Sequence, residues 1–269
     1  MEDYEKITFT EAKDYIQNEL SDKQLNAATL IKTKLCLSKN NKQYKIIYTP
    51  FEKLNHNAKI MMVGITPGET QLINAYKAIK NGQAKTSLEA KRIGAFSGKL
   101  NEVLIGSLNS IWPKRKELFG VKDCKELFTE KNDIVHSTSL LKDAVFEKAS
   151  KKNSSSDYVK FKDAYKIFKS DLLLEELNRY FIKECNTLSE SIPIICLGDG
   201  VFNVVTKLKE EEIIKQDKII FIPHPSFSNY PRNEYYNKKF DTDDEKYGQY
   251  KKLQQKARKI LNSLNEKRN

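Results

Sequence analysis

The sequence predicts an α/β fold, a three-layer α/β/α sandwich around a central four-stranded, mainly parallel sheet. Two observations carry this. Lys59–Gly64 is a continuous apolar run of the kind a strand buried on both faces shows, and three more strand-like runs follow, Asp133–Ser139, Pro193–Leu197 and Lys218–Ile222. Helical stretches at about 71–80, 98–111, 158–185 and 200–216 separate or follow them, and strands alternating with helices build a parallel sheet covered on both sides. Ligands bind such sheets at the carboxyl ends of the strands.

The remaining elements follow in chain order. Residues 10–37 read as helix from Thr10-Glu-Ala onward, and Tyr44-Lys-Ile-Ile-Tyr-Thr-Pro50 as a short strand ended by proline. Together they form an N-terminal helical extension over 1–50. Lys-Lys-Asn-Ser-Ser-Ser-Asp at 151–157 reads as a loop, and 245–267 as a basic C-terminal helix. No internal repeat is visible. The expectation is one domain over 1–269 with its core at about 58–232.

Composition narrows the class. The 269 residues are 39% hydrophobic and 31% charged, enough chain for a sizeable core. No apolar run reaches the roughly 18 residues of a membrane span, and Met1-Glu-Asp-Tyr-Glu-Lys is too polar for a secretory leader. A cytoplasmic monomer with no membrane partner is expected. Cysteines at 36, 124, 185 and 196 form no CxxC, and only three histidines exist. No metal site and no cofactor are therefore expected. The formal net charge of +11 favours polyanions through counterion release and long-range steering. Seven Lys against two Asp at 148–169, and seven basic residues against Glu266 at 251–269, concentrate that charge. Either run can equally be a solvated face.

The strand ends carry the chemistry. After the first run, Gly64-Ile65-Thr66-Pro67-Gly68-Glu69 is a stiff loop whose backbone can approach a ligand closely. After the last, Pro223-His224-Pro225-Ser226-Phe227-Ser228-Asn229 sets a histidine between two prolines at the carboxyl edge of the sheet. A lone histidine is more often structural, but this position and this backbone favour function.

These residues resemble the uracil-DNA glycosylase superfamily. The Gly-x-x-Pro-Gly loop and His-Pro-Ser are its paired hallmarks. Three further segments follow its order: Gly94-Ala95-Phe96-Ser97-Gly98, Thr138-Ser139-Leu140-Leu141-Lys142 and Leu197-Gly198-Asp199-Gly200. The likeness spans roughly 58–232. It implies a monofunctional DNA glycosylase that hydrolyses the N-glycosidic bond of a flipped-out base in double-stranded DNA and leaves an abasic site, with DNA as its partner. The implied roles fall on named residues. His224 donates to the base oxygen as negative charge develops there. Phe96 stacks on the base, and Gly64, Ile65, Pro67, Gly68 and Ser139 line the pocket. Lys142, Ser226, Phe227, Asn229, Tyr230 and Arg232 contact DNA, with Phe227 or Tyr230 filling the vacated space.

The departures bear on substrate. Where most members place an Asp or Asn that handles the water, Thr66 stands here as a catalytic candidate: a threonine can orient a water but is no general base. Glu69 is the nearest carboxylate in sequence and the candidate replacement; it also suits the first turn of a helix through the dipole alone. Ser139 replaces an Asn that reads the pyrimidine edge, and the iron–sulfur CxxC is missing. A smaller Ser139 leaves room for a bulkier, modified pyrimidine, such as those of some phage genomes, and hence for a role in antiviral defence. Repair of uracil or a damaged base, and a non-catalytic reader of altered DNA, stand as alternatives. A nucleotide-binding enzyme using Gly64–Gly68 as a phosphate loop lacks the GxGxxG and GxxxxGK[ST] spacings and leaves His-Pro-Ser unexplained.

Overall fold

The computed structural model describes residues 4–95, 99–114, 116, 120–129, 133–150, 157–225, 233–234, 236 and 245–263. The chain forms two compact units, each assembled from separated segments. One comprises Met1–Leu54, Ile65–Phe96 and Ser139–Phe181, and the other Asn55–Gly64, Ser97–Thr138 and Ile182–Asn269.

The second unit holds the expected sheet. Its strands are β2 (Ile60–Gly64), β3 (Val135–Ser139, whose last residue belongs to the first unit), β6 (Ile194–Leu197) and β7 (Ile219–Ile222), in the order β3-β2-β6-β7. Pairing is parallel between β2 and β6, with Met62 opposite Ile195, and between β6 and β7, with Cys196 opposite Phe221. Every residue of β7 is buried, as are the first four of β2, which is why these segments read as unbroken apolar runs. Helix α8 (Asp199–Glu210) packs on β6 and β7. Helix α9 (Glu245–Asn262) packs on β7 and on α5 (Lys99–Ile111).

The first unit carries a second sheet that the sequence pattern did not announce. β1 (Tyr44–Ile47), β4 (Ala144–Lys148) and β5 (Tyr158–Lys160) run antiparallel in the order β1-β4-β5. Helices α1 (Phe9–Asn18), α3 (Glu69–Lys80) and α4 (Ser87–Ala95) belong to this unit, with α3 packed on both others.

Two expected helices are broken. The stretch 10–37 ends α1 at Asn18, continues as a 3₁₀ turn over Asp22–Gln24, and resumes only as α2 (Ala27–Leu30). Ser21 and Asn26 interrupt it. Gln24 Oε1 accepts from the Ser21 amide at 2.8 Å, and Asn26 Oδ1 accepts from the Thr29 amide at 2.9 Å. Such side-chain bonds start new helical turns rather than continue old ones. The stretch 158–185 begins as β5, passes through a 3₁₀ segment Ala164–Lys169, and becomes helical at α6 (Asp171–Leu177), where Ser170 caps the first turn. A π-helical turn, Asn178–Ile182, then leads into α7 (Lys183–Thr187). All four cysteines are buried free thiols. Among the described residues no helix is long and apolar enough to cross a membrane, and no group of three or more His, Cys, Asp or Glu could hold a metal ion.

Candidate active site

In the second unit, β7 delivers the chain to Pro223-His224-Pro225. The end of the neighbouring strand fixes His224 from behind. Gly198, the first residue after β6, donates its amide to the Ile222 carbonyl at 2.7 Å and adopts φ +96°, ψ 162°, a region essentially reserved for glycine. A Cβ added there would lie 3.1 Å from the His224 Cβ, so glycine is needed for the close approach as well as the backbone angle. Asn233 Nδ2 donates to the His224 carbonyl at 3.1 Å. The chain is thus hydrogen-bonded at the His224 carbonyl and, two residues earlier, at the Ile222 carbonyl.

Its ring is half-buried, and burial pushes the imidazole pKa below the ordinary histidine value of 6.5. Near pH 7 the ring is neutral, with one N–H to donate. Among the described residues it makes no side-chain hydrogen bond. The other histidine of this sheet is differently employed. His136 on β3 is buried, with Nε2 3.1 Å from Glu184 Oε2 and Nδ1 3.4 Å from the Asn55 amide, a satisfied internal pair.

In the first unit, the loop that follows β2 is fastened on both sides. Ile65 accepts at its carbonyl from the Leu141 amide at 2.9 Å. The Thr66 hydroxyl donates to the Asp143 carbonyl at 2.7 Å and accepts from the Val145 amide at 3.0 Å. Its single proton is therefore committed, and Thr66 has none to give a water. Pro67 is buried, and Gly68 opens α3. Glu69, in the first turn of α3, accepts at Oε1 from the Ala27 amide at 3.0 Å and so ties α3 to the start of α2.

Gln71 links two of the signature segments. Its Oε1 accepts from the Gly68 amide at 2.8 Å while its Nε2 donates to the Ala95 carbonyl. Gly94 makes this approach possible, because a Cβ there would meet the Gln71 carbonyl oxygen at 2.7 Å and the Ala75 Cβ at 2.9 Å. The carbonyl that Gln71 holds immediately precedes Phe96. Phe96 itself, and Ser226, Phe227, Asn229, Tyr230 and Arg232, lie outside the described residues. Ser139, at the end of β3, is half-buried, as are Gly64 and Ile65.

Beneath the loop lies a buried acid pair that the motif reading missed. Asp143 and Glu176 are 2% and 1% exposed. The Tyr4 hydroxyl lies 3.1 Å from Asp143 Oδ2 and 2.7 Å from Glu176 Oε2. The Thr49 amide donates to Asp143 Oδ1 at 2.6 Å, and the Asp143 amide to Glu176 Oε1 at 3.2 Å. Burial raises both carboxyl pKa values, and at Asp143 the neighbouring Glu176 charge adds to it. Lys142 belongs here too. It is 2% exposed, and its charge acts on Glu176. This corrects the expectation that Lys142 contacts DNA, since a side chain this buried presents no face to a duplex. A signal for the pair was present. Glu176 stands in Leu173-Leu-Glu-Glu176-Leu177 on the stripe that Leu173, Leu177 and Phe181 bury, and a carboxylate on an apolar helical stripe asks for a partner.

Comparisons with known proteins place these features beside two others. No protein-family model matches the chain. Over 201 residues it is 28% identical to the uncharacterized protein YoxB of Bacillus subtilis (strain 168), covering 72% of this chain and 75% of that protein. Among solved structures, the crystal structure of wild-type Pedobacter heparinus SMUG2 is similar over 78% of this chain and 77% of its own, at 12% identity and a TM-score of 0.39.

Proposed function

We propose that the protein is a DNA glycosylase that hydrolyses the N-glycosidic bond of a flipped-out base and leaves an abasic site. The observation that carries this reading is His224. It is a neutral imidazole at the carboxyl end of β7, with its carbonyl bonded by Asn233 and Gly198 packed close against it, and its ring is left without a hydrogen bond among the described residues.

Extruding a base costs a few kcal/mol of stacking and pairing. As the C1′–N bond breaks, the sugar gains oxocarbenium character and the base leaves with the bonding electrons. A neutral N–H aimed at the base oxygen stabilises that charge, and such a donor placed in advance typically contributes about 2.7–4 kcal/mol. Water then adds to C1′ and loses a proton. The Thr66 proton is engaged in the loop, and Glu69, the nearest carboxylate in sequence, is the group proposed to take the water proton. The reaction needs no covalent imine and no cofactor.

The substrate reading follows from the same departures. Ser139 leaves space where an Asn would read a pyrimidine edge, which favours a bulkier, modified pyrimidine, and excision of such bases from phage DNA would serve antiviral defence. Abasic-site formation on normal, uracil-containing and hypermodified phage DNAs, developed by alkaline cleavage, tests both steps. Breaks on one substrate name the base. Breaks on uracil DNA alone assign repair instead. Retained DNA binding with no breaks on any DNA makes the protein a reader and overturns the enzyme. A protein–DNA adduct trapped by borohydride would overturn hydrolysis by water.

A further inference from the structure

Helix α9 separates two faces cleanly. Tyr250, Gln254, Ala257 and Leu261 are buried, while Lys251, Lys252, Gln255, Lys256 and Lys259 are exposed. At 3.6 residues per turn the four lysines fall within an arc of roughly 140°, opposite the buried stripe. The helix is firmly seated in its unit. Phe221 of β7 meets the Tyr250 ring at 5.7 Å between centroids, and its carbonyl accepts from the Tyr236 hydroxyl at 2.8 Å. Gln254 Nε2 donates to the Tyr236 carbonyl, and the Arg258 guanidinium donates twice to the Ser110 carbonyl, at 2.7 and 3.1 Å.

Among the described residues no carboxylate pairs with the lysine face. No Asp or Glu occurs between Gly248 and Ser263, and none of the four lysines makes an ion pair among the described residues. Elsewhere such pairs are common, as at Lys207–Glu211, Lys209–Asp217 and Lys215–Glu190 of the same unit. The helix dipole accounts for a cation in the last turn only, where Lys259 alone stands. A membrane-surface helix would present apolar side chains beside its charges, but here the apolar stripe is spent on the core.

We propose that this face, Lys251, Lys252, Lys256 and Lys259, binds the phosphate backbone of duplex DNA independently of sequence. From Lys252 to Lys259 the helix advances about 10.5 Å, the axial rise of about three base pairs at roughly 3.4 Å of duplex axis each. Because α9 packs on the strand that leads to His224, a duplex held here is held by the unit that carries the histidine. The choice of DNA rests on the glycosylase reading; the assignment to a polyanion does not.

The test is equilibrium binding of a short DNA duplex across a series of salt concentrations. The K251Q/K252Q/K256Q/K259Q variant is compared with a control that loses the same charge at exposed lysines of the other unit, K23Q/K32Q/K77Q/K85Q. Each phosphate contact contributes about 0.9 to the slope of log K against log salt. The α9 variant is expected to lower that slope by about 3 to 4, and the control by less than 1. An unchanged slope, or equal falls in both, overturns the proposal. So does binding of poly-glutamate as tight as that of DNA, which would make the face a site for acidic peptides. Absence of base excision by the wild type together with an intact lysine effect would remove the glycosylase reading and leave this one standing.

Discussion

The Thr66 hydroxyl donates to the Asp143 carbonyl at 2.7 Å and accepts from the Val145 amide at 3.0 Å, so this side chain is part of the scaffold of its loop. The T66V variant should lose both bonds and destabilise the protein by about 1–3 kcal/mol, read as a shift in the urea midpoint. T66S keeps the hydroxyl and should restore most of the loss. If T66V keeps full stability, the hydroxyl serves something other than the loop.

Gln71 bonds to both Gly68 and Ala95. Replacing it with leucine leaves the Gly68 amide and the Ala95 carbonyl without these partners, at a cost of about 1–3 kcal/mol. Hydrogen exchange should speed at Gly68 and its neighbours in Q71L. Unchanged protection there would mean that the side chain does not hold the loop.

The Asp143–Glu176 pair gives stability a definite pH dependence. Both carboxyls have pKa values raised in the folded protein above the ordinary 3.8 and 4.5. Their contribution is complete below those ordinary values and is lost as pH rises through the raised ones. Thermal melts should therefore show this part of the stability declining from about pH 4 upward, and D143N should flatten the decline. A wild-type curve that rises across this range by the same amount in D143N would contradict the arrangement.

Some of this was legible in the sequence, and the reasons for the rest are physical. The parallel sheet was readable because β2, β6 and β7 are buried and leave an unbroken apolar signature. The antiparallel sheet was not, because β5 spans only Tyr158–Lys160 and is half-buried or exposed throughout, so its identity comes from pairing with β4 rather than from local pattern. The placement of His224 at a strand end was readable because prolines flank it just after β7. Asp143 was passed over because Ser-Leu-Leu-Lys-Asp reads as a turn leaving a strand, and only the tertiary fold brings Glu176 and the Tyr4 hydroxyl to it. Lys142 was misplaced for the same reason, since lysine burial depends on charges far away in sequence.

Gly198 lies close against His224 and bonds the Ile222 carbonyl just before it. In G198A the backbone at φ +96° costs about 1–3 kcal/mol, and the new methyl meets the His224 Cβ at 3.1 Å. Lower stability together with a base-excision rate reduced beyond what the folded fraction explains is the expected result. A rate that follows the folded fraction alone would show that the contact does not position the ring.

The most direct test of the central claim is the single-turnover rate of abasic-site formation by the wild-type protein and by H224A on whichever DNA the wild type cleaves. Loss of one donor of this kind costs about 10²–10³ in rate, and H224A should fall by that factor while binding the same DNA with unchanged affinity. A variant that excises the base at the wild-type rate would contradict the account.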